Sequence, residues 1–220
     1  MSKRRVFVAG ATGAVGQALL KLADKSQVEV LAHARPKSAS RLGDRPVAAL
    51  ELSDPKLVDV LRGCTTVVQL IGTMRKRFSA GDTYESSDIG TTRQLVDAAK
   101  ASGTVDHLVL LSSVGAGNPR GAYLKAKAEA ERLVTSSGLP FTLFRPSAFE
   151  DREGVFLAGM GPITRLFGLK KYEPIKLADL AAAILFAATE RAPLGVALEG
   201  QPLWDVVGKA CPEQSRRARG

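Results

Sequence analysis

Residues 5–20 read RVFVAGATGAVGQALL, an apolar run that ends in three glycines and passes at once into a helical pattern. Gly10 permits a tight turn, Gly13 lets phosphate groups approach the backbone, and Gly16 lets the following helix pack closely on the strand. The first N–H groups of that helix, and its dipole, favour a bound anion. The stretch therefore predicts a strand, a turn and a helix that bind the pyrophosphate of a dinucleotide.

The rest of the chain continues this alternation of short apolar runs and helical patterns. The predicted strands are residues 5–9, 28–32, 47–51, 66–71, 107–111 and 141–144. The predicted helices are residues 15–24, 55–62, 87–102, 122–137 and 178–189. Alternation of this kind implies βαβ crossovers, and strands rich in Val, Leu and Ile imply a sheet that is covered on both faces. The sequence therefore predicts an α/β fold with a doubly wound parallel sheet, the Rossmann fold.

The length of 220 residues favours a single domain, which we expect to occupy residues 1–210. The regular pattern loosens after residue 150. We expect a small C-terminal lobe on the substrate side, built from residues 147–175, with a short amphipathic segment at 155–167, and from residues 190–207. Two extended pieces are expected within the lobe, near 195–198 and 203–207.

The net charge of +9 comes partly from basic clusters at residues 3–5 and 75–77 and from the tail. No helix-turn-helix, zinc-finger or RRM pattern accompanies this charge, so nucleic acid is not an expected partner. Solvated surface charge and recognition of an anionic ligand explain it better. The tail, residues 211–220, lacks apolar periodicity and is expected to be disordered.

The sequence disfavours a protein held together by metal ions or disulfides, and it disfavours a membrane or secreted protein. Cys64 and Cys211 have no metal-ligand spacing, so we expect no metal site and no disulfide framework. No apolar run reaches the ~20 residues that span a bilayer. The basic start leads into a strand and not into a signal peptide. We therefore expect a cytoplasmic protein that does not associate with membranes.

The end of the second strand indicates which dinucleotide is bound. Residues 28–38 read VEVLAHARPKS, with Arg35 and Lys37 at the end and Arg41 close behind. An acidic residue at this position binds the ribose 2′-OH of NAD, whereas a guanidinium pairs with the 2′-phosphate of NADP. Glu29 lies too early in the strand to reach the ribose. We predict NADP(H) over NAD(H), with an ordinary loop arginine as the alternative.

Tyr123 and Lys127 supply candidate chemistry. They lie four residues apart on a predicted helix and so share one face. A lysine ammonium beside a phenol favours the phenolate, which makes Tyr123 a plausible general acid or base for a carbonyl or alcohol. Ser112 and Ser113, at the end of the preceding strand, offer a hydroxyl that could hold the substrate oxygen. An exposed helical pair without catalytic function is the alternative.

The spacing of this pair is not specific by itself, because Tyr172 and Lys176 repeat it. Pro174 lies between those two residues and disfavours a helix there. No strand-end serine precedes them. Position along the chain therefore favours Tyr123.

Several motifs in this order resemble the short-chain dehydrogenase/reductase superfamily. They are GATGAVG at 10–16, SSDIGTTRQLVDAAKASG at 86–103, the Tyr123 and Lys127 pair, and LFRPSAF at 143–149. The chain looks like the atypical branch, and within it the Tat-interacting oxidoreductase group of NADP-binding proteins. The resemblance covers roughly residues 4–190.

This resemblance implies a set of site residues. The implied catalytic residues are Ser113, Tyr123 and Lys127, with Ser112 as the other candidate for the serine. The implied cofactor-binding residues are Gly10, Thr12, Gly13, Ala14, Val15, Gly16, Arg35, Glu51, Leu52, Leu70, Ile71, Gly72, Ser112, Tyr123, Lys127, Pro146, Ser147 and Ala148. The substrate pocket would use the loop at 73–85 and residues 147–175.

One departure from the family pattern bears on function. Asp88 stands where many relatives carry an asparagine that takes part in proton relay. The first hypothesis is an NADP(H)-dependent oxidoreductase that acts on a small carbonyl or alcohol. The alternative is a catalytically weak NADPH-binding sensor, regulator or assembly factor that acts through a protein partner. The sequence also leaves open whether the chain forms a homodimer.

Overall fold

The computed structural model describes residues 4–26, 28–72, 83–150 and 170–211. Seven strands are present in these ranges: β1 (Arg5–Ala9), β2 (Glu29–Ala34), β3 (Val47–Ala49), β4 (Thr66–Gln69), β5 (His107–Leu111), β6 (Phe141–Phe144) and β7 (Val196–Leu198). The α-helices are α1 (Ala14–Ser26), α2 (Leu57–Leu61), α3 (Thr91–Ser102), α4 (Gly121–Thr135), α5 (Leu177–Glu190) and α6 (Gln201–Ala210). A 3₁₀ helix (Pro36–Leu42), a π-helical turn (Glu85–Gly90) and a 3₁₀ turn (Lys170–Tyr172) complete the described elements.

The strands form one parallel sheet in the order β3-β2-β1-β4-β5-β6-β7. Phe7 of β1 pairs with Leu31 of β2 on one side and with Val67 of β4 on the other. The chain order therefore reverses at β1. In an open parallel sheet, such a reversal leaves a crevice outside the carboxyl ends of the strands, where ligands bind. The predicted doubly wound α/β fold is confirmed.

Apolar side chains cover both faces of this sheet. Val6 and Val8 of β1 point into one core cluster, which also contains residues of α1, α5 and α6. Phe7 and Ala9 point into the opposite cluster, which contains residues of α2, α3 and α4. Since successive residues of a strand face opposite sides, a strand buried on both faces needs a continuous apolar run. The sequence RVFVA satisfies this requirement.

The expected extended piece at residues 203–207 is wrong, because these residues lie within α6. Gly200, with a φ of 62°, turns the chain, and the proline that follows lies in the first turn of the helix. Leu203, Val206 and Val207 are buried. Their spacing places all three on one face of a helix. The other expected piece, near 195–198, is confirmed as β7.

Some sequence predictions fall on parts of the chain outside the described residues. They concern the amphipathic segment at 155–167, most of the pocket loop at 73–85 with its basic cluster, and all of the tail beyond residue 211. The division into a domain, a lobe and a tail stays a prediction. Among the helices that the structure describes, none has the length and apolar character needed to cross a membrane.

Candidate functional site

The turn after β1 requires glycine at two positions. Gly10 has a φ of 86°, and a Cβ there would lie 2.9 Å from the backbone nitrogen of Ile71. A Cβ at Gly16 would collide with the carbonyl oxygen of Gly10 and lie 2.7 Å from Ala11 Cα. The N–H of Gly13 donates to the carbonyl of Gly10 at 3.0 Å, which closes the turn before α1. The backbone at the start of α1 is thereby brought close to the end of β1.

A cleft of about 540 Å³ opens beside this turn, at the carboxyl ends of β1, β2 and β4. Its volume lies in the range of small-ligand sites. The predicted cofactor residues that line it are Gly10, Thr12, Gly13, Arg35, Glu51, Leu52, Leu70, Ile71 and Gly72. The remaining ones lie outside its lining: Ala14, Val15, Gly16, Ser112, Tyr123, Lys127, Pro146, Ser147 and Ala148.

The cleft also has lining residues that the sequence analysis did not assign to the site. They are His33, Ala34, Ser38, Arg41, Ser53, Ser86, Ser87, Thr91 and Gln94. Most are small or polar residues on the 3₁₀ helix, the π-helical turn and α3. Such residues carry no motif, and their place in the cleft follows from the crossovers of the sheet. The only local signal was the charge of Arg41.

Arg35, Ser38 and Arg41 form the end of the cleft beyond β2. Arg35 precedes the 3₁₀ helix in an extended conformation, and its carbonyl accepts from the N–H of Ser38 at 2.8 Å. A 3₁₀ helix has three residues per turn, so Ser38 and Arg41 lie on the same face. Two guanidinium groups and a hydroxyl are donors suited to a phosphate group. Lys37, on the same helix, does not line the cleft.

His33 lines the cleft as a structural side chain. It is buried, and its Nε2 lies 2.9 Å from the carbonyl oxygen of Leu50. Burial lowers the pKa of His33, although the contact with Leu50 opposes this effect. A neutral imidazole that links β2 to the segment after β3 fits these observations.

Gln69 holds the segment after β4 in place. Its amide oxygen accepts from the N–H of Ile71 at 3.0 Å, and its amide nitrogen donates to Thr91 Oγ1 at 2.8 Å. Gln69 is itself buried. The side chain thus joins two walls of the cleft, the end of β4 and the start of α3.

Tyr123 and Lys127 lie on the same face of one helix, as the sequence predicts. Both lie on α4, and Lys127 Nζ is 6.0 Å from the centroid of the Tyr123 ring. Nζ also donates to the carbonyl of Leu111, at the end of β5, at 3.2 Å. The ring of Tyr84 lies 5.7 Å from that of Tyr123. The pair is therefore placed at the carboxyl edge of the sheet.

Asp88 contacts Lys127, a pairing that the sequence analysis did not predict. Lys127 Nζ lies 2.8 Å from Asp88 Oδ1, and both side chains are buried. Gly72 is packed against both: a Cβ there would lie 2.9 Å from Nζ and 3.1 Å from Oδ1. Since Gly72 lines the cleft, this ion pair lies directly behind the cleft wall.

The two serines after β5 differ in environment. Ser112 is buried, and its Oγ has no hydrogen-bond partner among the described residues. Ser113 is half-buried, and its Oγ lies 3.5 Å from the carbonyl oxygen of Val114. The N–H of Ser112 donates to the carbonyl of Phe144 at 2.7 Å, which continues the pairing of β5 with β6. Both hydroxyls remain candidates for the role that we predicted for Ser113.

Residues 146–148 follow β6 beside the end of β5. The carbonyl of Pro146 accepts from the N–H of Val114 at 2.9 Å. Ser147 Oγ donates to the carbonyl of Glu173, and the carbonyl of Ala148 accepts from the N–H of Ile175 at 3.0 Å. These contacts tie the segment to residues 173–175 on the substrate side.

As predicted, Tyr172 and Lys176 do not share a helix. Tyr172 belongs to the 3₁₀ turn and is 51% exposed. Lys176 has an extended backbone and precedes α5. The prediction that Pro174 disfavours a helix across these two residues is therefore confirmed.

Comparison with known proteins gives the following matches. A family model described as NAD(P)H-binding matches residues 10–191. Protein FMP52, a mitochondrial protein of Debaryomyces hansenii, is 30% identical over 148 residues, 64% of this chain and 65% of that protein. The (4-alkanoyl-5-oxo-2,5-dihydrofuran-3-yl)methyl phosphate reductase of Streptomyces griseus is 29% identical over 191 residues, 84% of this chain and 63% of that protein.

This chain therefore spans less than two-thirds of the length of either relative. Among solved structures, NADPH-dependent quinone oxidoreductase QOR2 of Escherichia coli, in complex with NADPH, is similar with a TM-score of 0.66 and 20% identity. That match covers 96% of this chain and 75% of the other. At this identity it shows the fold. Because FMP52 is a mitochondrial protein, the cytoplasmic location of this chain stays a prediction.

Proposed function

This chain belongs to the NAD(P)H-binding family, and from that premise we propose that it is an NADP(H)-dependent oxidoreductase of the short-chain dehydrogenase/reductase type. Its substrate would be a small carbonyl compound or alcohol. One observation carries the proposal: Gly72 lines the dinucleotide cleft and also packs against Lys127. A candidate acid–base pair therefore adjoins a candidate cofactor site.

The residues of the cleft fit a dinucleotide. Gly10, with its positive φ, and Gly13 both line the cleft, and they present only backbone where a pyrophosphate would approach the start of α1. Arg35, Ser38 and Arg41 would hold the 2′-phosphate that distinguishes NADP from NAD. The family description covers both dinucleotides, so the preference for NADP rests on these three side chains.

The proposed chemistry divides into hydride and proton transfer. When bound, the dinucleotide supplies or accepts the hydride at the substrate carbon. Tyr123 would give a proton to the carbonyl oxygen, or take it from the alcohol. Lys127, anchored by Leu111 and Asp88, would hold its ammonium beside Tyr123. A serine hydroxyl at the end of β5 would orient the substrate oxygen.

The Streptomyces griseus relative is by name a reductase, which supports the reductive direction. The test is an assay of NADPH oxidation with a panel of candidate substrates: aldehydes, ketones, quinones and a phosphorylated dihydrofuranone. We expect at least one member to be reduced by the full chain, with one NADPH consumed per product formed. NADPH binding without turnover on any member would favour the regulatory alternative.

A further inference from the structure

Asp88 and Lys127 form an ion pair with almost no access to water. Lys127 Nζ and Asp88 Oδ1 are 2.8 Å apart, and their side chains are 7% and 1% exposed. The contact between Nζ and Oδ1 is an ion pair, and its angles are not those of a hydrogen bond. Charges so close in a site of low dielectric are screened little by solvent, so their attraction is strong.

Both partners are held by the fold. Asp88 lies in the π-helical turn, and its carbonyl accepts from Thr92 Oγ1 at 2.7 Å. Lys127 has its second contact at the carbonyl of Leu111. Gly72 leaves no space for a side chain between the pair and the cleft. The ion pair is therefore a fixed arrangement.

The charged neighbours of α4 divide into two groups. Among the recorded contacts of the described residues, Tyr84 lies against the ring of Tyr123 and Asp88 pairs with Lys127. Farther along the helix, Glu131 pairs with Arg145 at 2.5 Å, so those two charges offset each other. Asp88 is thus the described charge that acts on the ammonium beside Tyr123.

We propose that Asp88 is a positioning residue that compensates the charge of Lys127, so that Tyr123 faces a neutral ion pair instead of a free ammonium. This inference rests on the roles of Tyr123 and Lys127 under the proposed function. A free ammonium favours the phenolate, whereas a neutral pair leaves the proton on the phenol. Carbonyl reduction consumes that proton. Asp88 therefore keeps Tyr123 in the protonated form from which carbonyl reduction takes its proton.

The ultraviolet absorbance of tyrosinate tests this inference without any substrate. The signal of Tyr123 is the difference between a pH titration with Tyr123 present and one with Tyr123→Phe. We expect Asp88→Asn to move the midpoint of this difference to lower pH by about one unit, since an uncompensated cation then faces the ring. Asp97→Asn, an exposed substitution on α3, should leave the midpoint unchanged. An unmoved midpoint in folded Asp88→Asn would overturn the inference.

A second variant removes both charges of the pair. Asp88→Asn/Lys127→Met should titrate with the midpoint of the unmodified chain, because a neutral pair has been replaced by neutral side chains. A midpoint that rises well above it would show that Lys127 acts on Tyr123 uncompensated, and would also overturn the inference. Lack of turnover on every carbonyl would contradict the proposed function and leave these titrations unaffected.

Discussion

Gly72 and Lys127 are packed so closely that a Cβ on the glycine would lie 2.9 Å from the ammonium nitrogen. Gly72 is also part of the wall of the cleft at the carboxyl ends of β1, β2 and β4. This cleft, which is the proposed cofactor site, and the Tyr123 and Lys127 pair therefore share one residue as their boundary. Changes at this boundary should affect both.

Gly72→Ala is the most direct probe of this shared wall. Its methyl group must displace Lys127 Nζ or Asp88 Oδ1, which costs about 1–3 kcal/mol of folding free energy as overpacking. We expect a folded protein with a lower unfolding midpoint, weaker NADPH binding and lower turnover. Gly63→Ala is the matched control, because its Cβ would meet only the flexible end of Arg5, at 3.2 Å. Equal NADPH affinity in the two variants would contradict the shared wall.

Arg35→Ala tests the preference for NADP. Loss of a charged hydrogen-bond donor to a phosphate costs about 1.5–3 kcal/mol, which is roughly a 10- to 150-fold weaker NADPH affinity. NADH affinity should change little, as it lacks the 2′-phosphate. Lys37→Ala serves as the control, since Lys37 does not line the cleft. Fluorescence titration with both dinucleotides measures the effect. Equal affinity of the unmodified chain for NADPH and NADH would refute the predicted preference.

Lys127→Met should destabilise the fold and not only impair catalysis. It would leave the carboxylate of Asp88, 1% exposed, without its cation. Breaking a buried ion pair on one side costs about 3–5 kcal/mol. Asp88→Asn/Lys127→Met should recover most of this loss, because neither position then carries a buried charge. Denaturant unfolding of both variants measures the difference. Equal stability of the single and double variants would show that the pair is not coupled.

His107 should make stability depend on pH. Burial, with help from Arg191 and Arg4, lowers its pKa to about 4. The unfolded state therefore binds more protons between pH ~6.5 and ~4. The free energy of unfolding should fall as the pH drops through that window, by on the order of 3 kcal/mol from this residue.

His107→Gln provides the comparison for this pH dependence. Glutamine can keep a contact with Thr142, whose Oγ1 lies 2.9 Å from the imidazole Nε2, but it does not titrate. Carboxylates contribute to acid unfolding in both proteins. The difference between the two pH profiles therefore isolates His107. Parallel profiles between pH ~6.5 and ~4 would argue against a buried neutral imidazole.

The sequence predicted best those elements whose signal is local. The strands at 5–9, 107–111 and 141–144 have the predicted bounds, because continuous apolar runs describe strands covered on both faces. The tight turn at Gly10 and the close packing at Gly16 were equally predictable, since both depend on contacts within the motif. The helical segment at 203–207 was misread because its valines favour strands by propensity, while tertiary burial selects the helical spacing.

The parts of the site that could not be predicted depend on contacts between distant segments. Asp88 could be recognised as a departure from the family pattern, but its pairing with Lys127 arises only when the π-helical turn packs against α4. Ser38 and Gln94 line the cleft because the crossovers bring their helices to its rim. Short polar side chains of this kind carry no periodic signal in the sequence.

The most direct test of the proposed oxidoreductase is Tyr123→Phe, assayed on a carbonyl that the unmodified chain reduces. We predict an NADPH dissociation constant within about twofold of the unmodified chain, because the phenol is not needed to hold the phosphates. Turnover should fall at least ~100-fold, the usual contribution of a general acid. Unchanged turnover at saturating NADPH would contradict the central claim that Tyr123 provides the proton.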